Sequence, residues 1–262
     1  LYEENKYIDL VEKTSEKIDG EQLPTRPGIE EDMKISPVTV DDFQGADRLK
    51  DKVAIVTGGD SGIGKAVSIA YAKEGAKVVI VYLGESEDAK NTIKEIEKIG
   101  SEALLIAGDL GDKSFCEKVA RITMEKFGKI DILVNNAGEQ NPQKSILDIS
   151  EKQLERTFRS NIYSMFFMTQ AVLPHLKEYS SIINTASVTA YEGNEILLDY
   201  ASTKGAVTAF TRSLAQNLSS KKIRVNQIAP GPIWTPLIPS TFESDHVKEF
   251  GKNTPLERAG QP

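Results

Sequence analysis

Cysteine occurs once in this chain, at Cys116, and histidine twice, at His175 and His246. One thiol closes no disulfide framework, and two distant histidines without a second Cys or His at ligand spacing give no expectation of a metal site. No apolar run approaches the ~18 residues of a membrane span, and no basic segment followed by an apolar stretch opens the sequence. Neither a membrane partner nor export is expected, and the cytoplasm is the expected location. An excess of positive charge is also missing. The formal net charge is −7, and residues 1–45 carry the whole imbalance with 12 Asp/Glu against 5 Lys/Arg, while the rest of the chain holds 27 of each sign. An acidic end and a neutral body offer no phosphate-neutralising patch, so nucleic acid is not an expected partner. No fixed-period repeat and no low-complexity tract is present.

What is there is enough apolar material, 39% of 262 residues, for one large α/β domain. Residues 1–45 read as an acidic N-terminal arm. PTRPG and SPV break it, so a packed subdomain is not expected, and its polarity reads as a solvated or surface-draped segment. The sharper alternative is an arm that docks on the body or on a neighbouring subunit through Tyr2, Tyr7, Ile8, Leu10 and Val11. Residues 46–262 read as a single domain. Short apolar runs at 53–57, 78–82, 103–108, 131–136, 181–187 and 223–230 alternate with helical patterns at 63–74, 86–99, 112–127, 151–177 and 200–219. Runs apolar on both faces suit buried parallel strands, and their alternation with helices predicts right-handed βαβ units. The expected fold is a Rossmann-like doubly wound parallel sheet in three α/β/α layers.

Between the first strand and the first helix of that pattern the sequence reads TGGDSGIG, Thr57 to Gly64. In a doubly wound sheet this turn lies beside the topological switch point, where a nucleotide sits outside the strand ends. Gly58 allows a tight turn, Gly62 lets backbone approach a pyrophosphate, and Gly64 lets the helix pack on the sheet with its first amides facing the phosphates. Farther on, Tyr200 and Lys204 are four apart and share one helical face. A neighbouring ammonium and an oxidised nicotinamide ring both favour the phenolate, so Tyr200 is expected to exchange a proton with a substrate oxygen as hydride moves to or from the cofactor. Ser187, just past an apolar run, is placed to hydrogen-bond that oxygen as charge develops.

The spacing TGxxxGxG resembles that of the short-chain dehydrogenase/reductase family. Other motifs similar to the family's follow in order: Asp109-Leu110, the NNAG of Asn135 to Gly138, Asn161, Ser187, the YASTK of Tyr200 to Lys204, and PGPIWTP from Pro230 to Pro236. TGGDSGIGKA, INTAS, LDYASTKGA and the arm's PGIEEDM resemble a bacterial subgroup with an N-terminal extension, whose members are named as oxidoreductases, general stress proteins or aldehyde reductases. The resemblance implies an NAD(P)-dependent oxidoreductase acting on a small carbonyl or alcohol substrate. It implies that Asn161 takes part in a proton relay with Lys204, that Lys204 holds the nicotinamide ribose, and that Asp109 and Leu110 contact adenine. Asn135, Ala137 and Gly138 would line the cofactor trough together with Pro230 and Gly231, and Ile233 and Thr235 would face the carboxamide. It also implies a homotetramer paired through 112–127 and 151–177, and a chain that continues past Pro262 into a further helix and strand. A non-catalytic dinucleotide-binding regulator is the reading of a different class, and the set Asn161, Ser187, Tyr200 and Lys204 argues against it. A sugar-nucleotide epimerase or dehydratase would share YxxxK but bring a larger substrate region.

Between the two cofactors the residues favour NAD. The second strand ends in Tyr82-Leu83-Gly84, with no basic residue for a 2′-phosphate, and Asp60-Ser61 stands within the glycine turn where another could be. Glu85, Glu87 and Asp88 add negative charge, and Lys65 compensates only if its side chain curls back. Cys116 reads as a structural thiol. Tyr163, Phe166, Phe167 and Met168 read as core or subunit interface. Trp234 is either a substrate wall or an anchor.

Overall fold

The computed structural model describes residues 2–39, 43–84 and 86–262, and of residues 2–7 and 86 only the backbone. Six strands, β1 (Val53–Thr57), β2 (Lys77–Tyr82), β3 (Ala103–Ala107), β4 (Ile132–Asn135), β5 (Ser181–Thr185) and β6 (Arg224–Ile228), form one parallel sheet in the order β3-β2-β1-β4-β5-β6. The order reverses between β1 and β4, which pair with Ile55 opposite Leu133. Ligands bind outside the strand ends at such a switch point.

The strands are apolar on both faces because each face is covered. Ile55, Val79 and Val81 pack on one side with Cys116, Val119 and Met168 of the helices there. Ala54, Val56, Val78 and Ile80 pack on the other with Ile69 and Ile96. Consecutive residues of β1 and β2 point into different clusters, which is the period-two alternation of a strand sandwiched between helices. The first layer contains α4 (Lys113–Phe127) and the run α5 (Glu151–Phe158) and α6 (Ser164–Val172); the second contains α2 (Gly62–Lys73) and α3 (Ser86–Lys98). Asp112 caps α4 by accepting the Ser114 amide at 2.8 Å, and Ser150 caps α5 by accepting that of Gln153 at 3.1 Å. No helix among the described residues is long and apolar enough to cross a membrane.

Two segments differ from the sequence expectation. The continuous helix expected over 151–177 is interrupted at Arg159–Tyr163 by a π-helical turn and closes at Val172 before a 3-10 turn containing Pro174. The acidic arm is not a solvated segment. It begins with α1 (Tyr2–Glu16), turns through a 3-10 segment at Glu30–Asp32, and buries Leu23 and Met33 against Trp234, Ile238, Phe242 and Val247. Of the residues expected to dock, Val11 is buried and Ile8 and Leu10 are exposed; the side chains of Tyr2 and Tyr7 lie outside the described residues. Composition misses this packing because its apolar anchors are few and their partners lie some two hundred positions away.

The C-terminal side completes the frame with α7 (Thr189–Glu192), α8 (Leu198–Leu218), α9 (Leu237–Thr241) and α10 (Ser244–Lys248). The last two are short helices within the segment after β6, and both face the arm.

Candidate active site

A cavity of about 1100 Å³ runs along the carboxyl ends of the strands. One end is framed by the glycine turn, with Gly58, Asp60, Ser61, Gly62 and Ile63 in its wall. Tyr82, Asp109 and Leu110 close that end, and Ala137 and Gly138 line the middle. Ser187, Tyr200 and Lys204 meet Pro230, Gly231 and Ile233 at the far end, and Thr235 lies against the glycine turn. The wall at the glycine turn is built from missing side chains. Gly62 has φ +51°, and a Cβ there would lie 2.9 Å from the Thr235 methyl carbon. A Cβ on Gly64 would lie 1.7 Å from the Gly58 carbonyl oxygen, so only glycine lets α2 seat on β1. The groove, its bare backbone and the N-terminus of a helix of 12 residues fit an elongated dinucleotide with a central pyrophosphate.

Gly64, Asn135 and Asn161 do not line the cavity; they support it from behind. Asn135, fully buried, donates from Nδ2 to Asn184 Oδ1 at 2.9 Å. Its neighbour Asn136 does reach the wall, donating from Nδ2 to the Gly58 carbonyl at 3.2 Å, and the amides of Asn136 and Ala137 both donate to Thr57 Oγ1 at 2.9 and 3.1 Å. The glycine turn and the segment after β4 thus hold each other across the switch point.

At the far end, α8 places Tyr200 and Lys204 on one face. Lys204 Nζ lies 5.4 Å from the centre of the Tyr200 ring and donates to the Thr185 carbonyl at the tip of β5, 2.8 Å away. Burial lowers the Lys204 ammonium to a pKa of about 8. Burial likewise pushes the Tyr200 phenol up to about 12, against a hydrogen bond with Ser187 that pulls it down. Both shifts favour the neutral form in a low-dielectric site. Ser187 Oγ also accepts from the Thr189 amide at 3.2 Å and the Thr189 hydroxyl at 3.0 Å, so α7 orients it.

Asn161 lies on the π-helical turn and is fully buried. Its Oδ1 accepts from the Glu139 amide at 2.8 Å, and its Nδ2 donates to the Glu139 carbonyl at 2.9 Å and to Thr203 Oγ1 at 3.1 Å. An ideal Cβ on Gly138 would lie 3.3 Å from Asn161 Oδ1 and 3.6 Å from Lys204 Nζ, so these three residues converge. π turns are frequent at functional sites, and here the extra residue aims Asn161 at the segment after β4.

Several participants carry no signal in the sequence. Arg156 Nη1 donates to Asp109 Oδ2 at 2.6 Å, and its Nε reaches both Glu139 oxygens at 3.1 Å. Burial raises the Asp109 carboxyl, but the Gly111 amide and Arg156 outweigh it and leave it below its ordinary value. The arm supplies Arg26, Pro27 and Gly28 to the cavity wall. Arg26 Nε donates to the Ser240 carbonyl at 2.8 Å, Nη2 to that of Thr241 at 3.0 Å and Nη1 to Asn141 Oδ1 at 3.0 Å. It therefore bridges α9 to the segment after β4. Trp234 is an anchor and not a substrate wall: it is fully buried and donates from Nε1 to the Ile35 carbonyl at 2.8 Å. Cys116 is buried, its thiol pushed up to about 12 by that burial. Met168 is core, whereas Tyr163 and Phe166 are exposed.

Comparisons with known proteins agree on one family. The family model described as short chain dehydrogenase matches residues 52–246. The uncharacterized oxidoreductase YhdF of Bacillus subtilis is 56% identical over 256 residues, covering 97% of this chain and 89% of that protein. The NADPH-dependent aldehyde reductase 1, chloroplastic, of Arabidopsis thaliana is 49% identical over 244 residues, covering 90% of this chain and 85% of that one. Among solved structures, 3-ketoacyl-(acyl-carrier-protein) reductase from Brucella melitensis, complexed with NADH, superposes with a TM-score of 0.73 at 32% identity, over 81% of this chain and 86% of that one.

Proposed function

The chain belongs to the short chain dehydrogenase family and is an NAD(P)-dependent oxidoreductase; from that premise we propose that it reduces a small carbonyl compound with NADH, with Tyr200 as the proton donor. The observation that carries the reading is the meeting of Tyr200, Ser187 and Lys204 at one end of a groove whose other end is the glycine turn. The bound nicotinamide supplies the hydride in reduction and takes it back in oxidation.

The chain's own side chains supply the rest. A phenol with a pKa of about 12 stands protonated at neutral pH and gives its proton to the substrate oxygen. Ser187, held by Thr189, donates to the same oxygen as negative charge builds on it. Lys204, fixed on the Thr185 carbonyl, stabilises the phenolate left on Tyr200 and meets the nicotinamide ribose. Asn161 joins the proton relay and keeps the Glu139 segment at a set distance from α8 through Thr203. At the other end the first turn of α2, where Glu30 already takes the Gly62 amide, would hold the pyrophosphate through the amides beyond it, and Asp109 would meet adenine.

NADH is preferred because Asp60, Ser61 and Tyr82 bring no cation to the wall where the adenosine ribose would lie, and Arg156, a cation at that end of the cavity, is held by Asp109 and Glu139. Lys65 does not curl back toward it: its Nζ is 2.9 Å from Glu30 and 3.3 Å from Glu95. The named relatives divide, one using NADPH and one holding NADH, so the preference rests on this wall. An aldehyde is the substrate class to test first, by analogy with the Arabidopsis relative. The cytoplasm as location and a homotetramer as assembly belong to the same reading. The test is oxidation of NADH and of NADPH with a panel of aldehydes, ketones and sugars; no turnover with any of them, from a protein that binds the cofactor, overturns the reading.

A further inference from the structure

One buried carboxylate near the cofactor groove has no part in the chemistry above. Glu30, on the arm's 3-10 turn, is 8% exposed. Its Oε2 accepts the Gly62 amide at 2.8 Å, and its Oε1 accepts from Lys65 Nζ at 2.9 Å. Asp88, near the start of α3, accepts the backbone amides of Glu30 and Glu31 at 2.6 and 3.1 Å, so the backbone that carries the carboxylate is itself fastened. Glu95, one α3 turn beyond Thr92, takes Lys65 from the other side at 3.3 Å. Glu30 and Glu95 therefore share one ammonium, whose side chain is 12% exposed, and Asp88 fastens the backbone that carries Glu30.

Lys65 belongs to the first turn of α2 and stands three residues after Gly62, whose backbone lines the groove. A flexible four-carbon stem at that place reaches an anion on the ribose side of the glycine turn when it is free. Here it does not line the groove, whereas Asp60, Ser61 and Gly62 do. Two carboxylates on one buried ammonium outweigh the burial that would lower its proton affinity, so it stays charged and stays bound.

We propose that Glu30 is a cofactor-specificity residue: by holding Lys65 together with Glu95 it withholds a nearby cation from the ribose 2′ position and suits the groove to the unphosphorylated dinucleotide. The arm then contributes to cofactor choice from a part of the chain that precedes the nucleotide-binding fold altogether. The inference rests on the NADH preference proposed above.

The test is cofactor affinity in the full chain, read by binding and not by turnover. NADH and NADPH are titrated by nicotinamide fluorescence, and 5′-AMP and adenosine 2′,5′-bisphosphate by calorimetry, against the wild type, Glu30→Gln/Glu95→Gln, the same double variant with Lys65→Met, and Lys65→Met alone. The double variant is expected to shift the NADPH-to-NADH affinity ratio about tenfold toward NADPH, and the bisphosphate-to-AMP ratio likewise. Adding Lys65→Met is expected to remove the gain. In Lys65→Met alone both ratios are expected to stay within about twofold of wild type, because the ammonium is already withheld. A wild type that prefers NADPH overturns the reading beneath and the inference with it. A wild type that prefers NADH, joined to a folded double variant with an unmoved ratio, overturns the inference alone. If the double variant does not fold, Lys65→Met decides: a loss of affinity for the phosphorylated ligands shows that Lys65 already serves the 2′ position and sinks the proposal.

Discussion

Tyr200 and Lys204 lie one helical turn apart, and burial drives their proton affinities apart, the phenol up to about 12 and the ammonium down to about 8. The local sequence shows the pair and its spacing, but the size and direction of the phenol's shift depend on walls contributed by distant strands and loops. Across neutral pH the phenol keeps its proton, the state in which it can act as the donor in carbonyl reduction. Replacing Tyr200 by Phe removes the transferable proton and leaves the groove. We expect kcat to fall by about 10²–10⁴ with NADH affinity within a few-fold of wild type, measured by absorbance and fluorescence titration; a variant that keeps a tenth or more of the rate takes Tyr200 out of the donor role. The pH profile follows from the two directions. Lys204 is charged below about 8 and neutral above it, while Tyr200 keeps its proton throughout. Carbonyl reduction, which needs the ammonium to stabilise the new phenolate, is therefore expected to decline as pH rises through about 8, and alcohol oxidation, which releases a proton, to rise over the same window. Rate profiles in both directions from about pH 6 to about pH 10 check this; a reduction rate unchanged through about pH 9 contradicts it.

Elements differ in how plainly the sequence announces them. The glycine turn and the strands of the sheet are legible because their signals are local: a missing Cβ at Gly64 and apolar residues on both faces of β1 and β2. The π turn that carries Asn161 is not legible, since one inserted residue leaves the helical pattern on either side almost unchanged. The arm is the largest loss. Its acidic, proline-broken composition reads as solvated or surface-draped, with docking expected only through residues near its start, whereas Leu23 and Met33 find their pocket at Trp234, Ile238 and Phe242. Arg26 and Glu30 look like ordinary surface charges until the fold sets them beside α9 and Gly62. Two outcomes test this scale. Leu23→Ala should destabilise the protein by about 2–5 kcal/mol if the pocket cannot collapse, read from urea unfolding, and should speed proteolysis within 236–250 because the Leu23 side chain packs with Ile238, Phe242 and Val247; cleavage at the wild-type rate would show that the arm does not brace α9. Gly64→Ala drives a methyl into the Gly58 carbonyl. It should weaken NADH binding at least tenfold and cost about 1–3 kcal/mol, while Gly84→Ala, with nothing near its Cβ position, should do neither.

On the scale of the whole molecule, the surface carries apolar side chains that the monomer does not use. Tyr163 and Phe166 are each 43% exposed, and Leu154, on the same α5–π–α6 run, is equally so. Phe166 lies against Phe210 of α8 with ring centres 4.3 Å apart and planes tilted by 38°, so the two helices share an aromatic contact. Tyr163 meets Phe167 edge to face at 6.3 Å, which holds the stripe in a fixed shape before any partner arrives. Preordered aromatics cost little entropy when they bind, and such residues dominate interface energetics. Scattered single exposures need no explanation, but a contiguous stripe along one helical run fits a self-complementary contact about a two-fold axis. We therefore expect the protein to be a tetramer at micromolar concentration, with this stripe on one of its two-fold contacts. Tyr163→Glu/Phe166→Glu should place like charges opposite one another across that axis and lower the mass to a dimer or monomer, read by light scattering on the eluting protein. The Tyr200, Lys204 and Ser187 cluster lies within one chain, so the dissociated variant should retain NADH binding. A tetramer whose mass does not change in the double variant puts the contact on another face, and a wild-type monomer overturns the assembly.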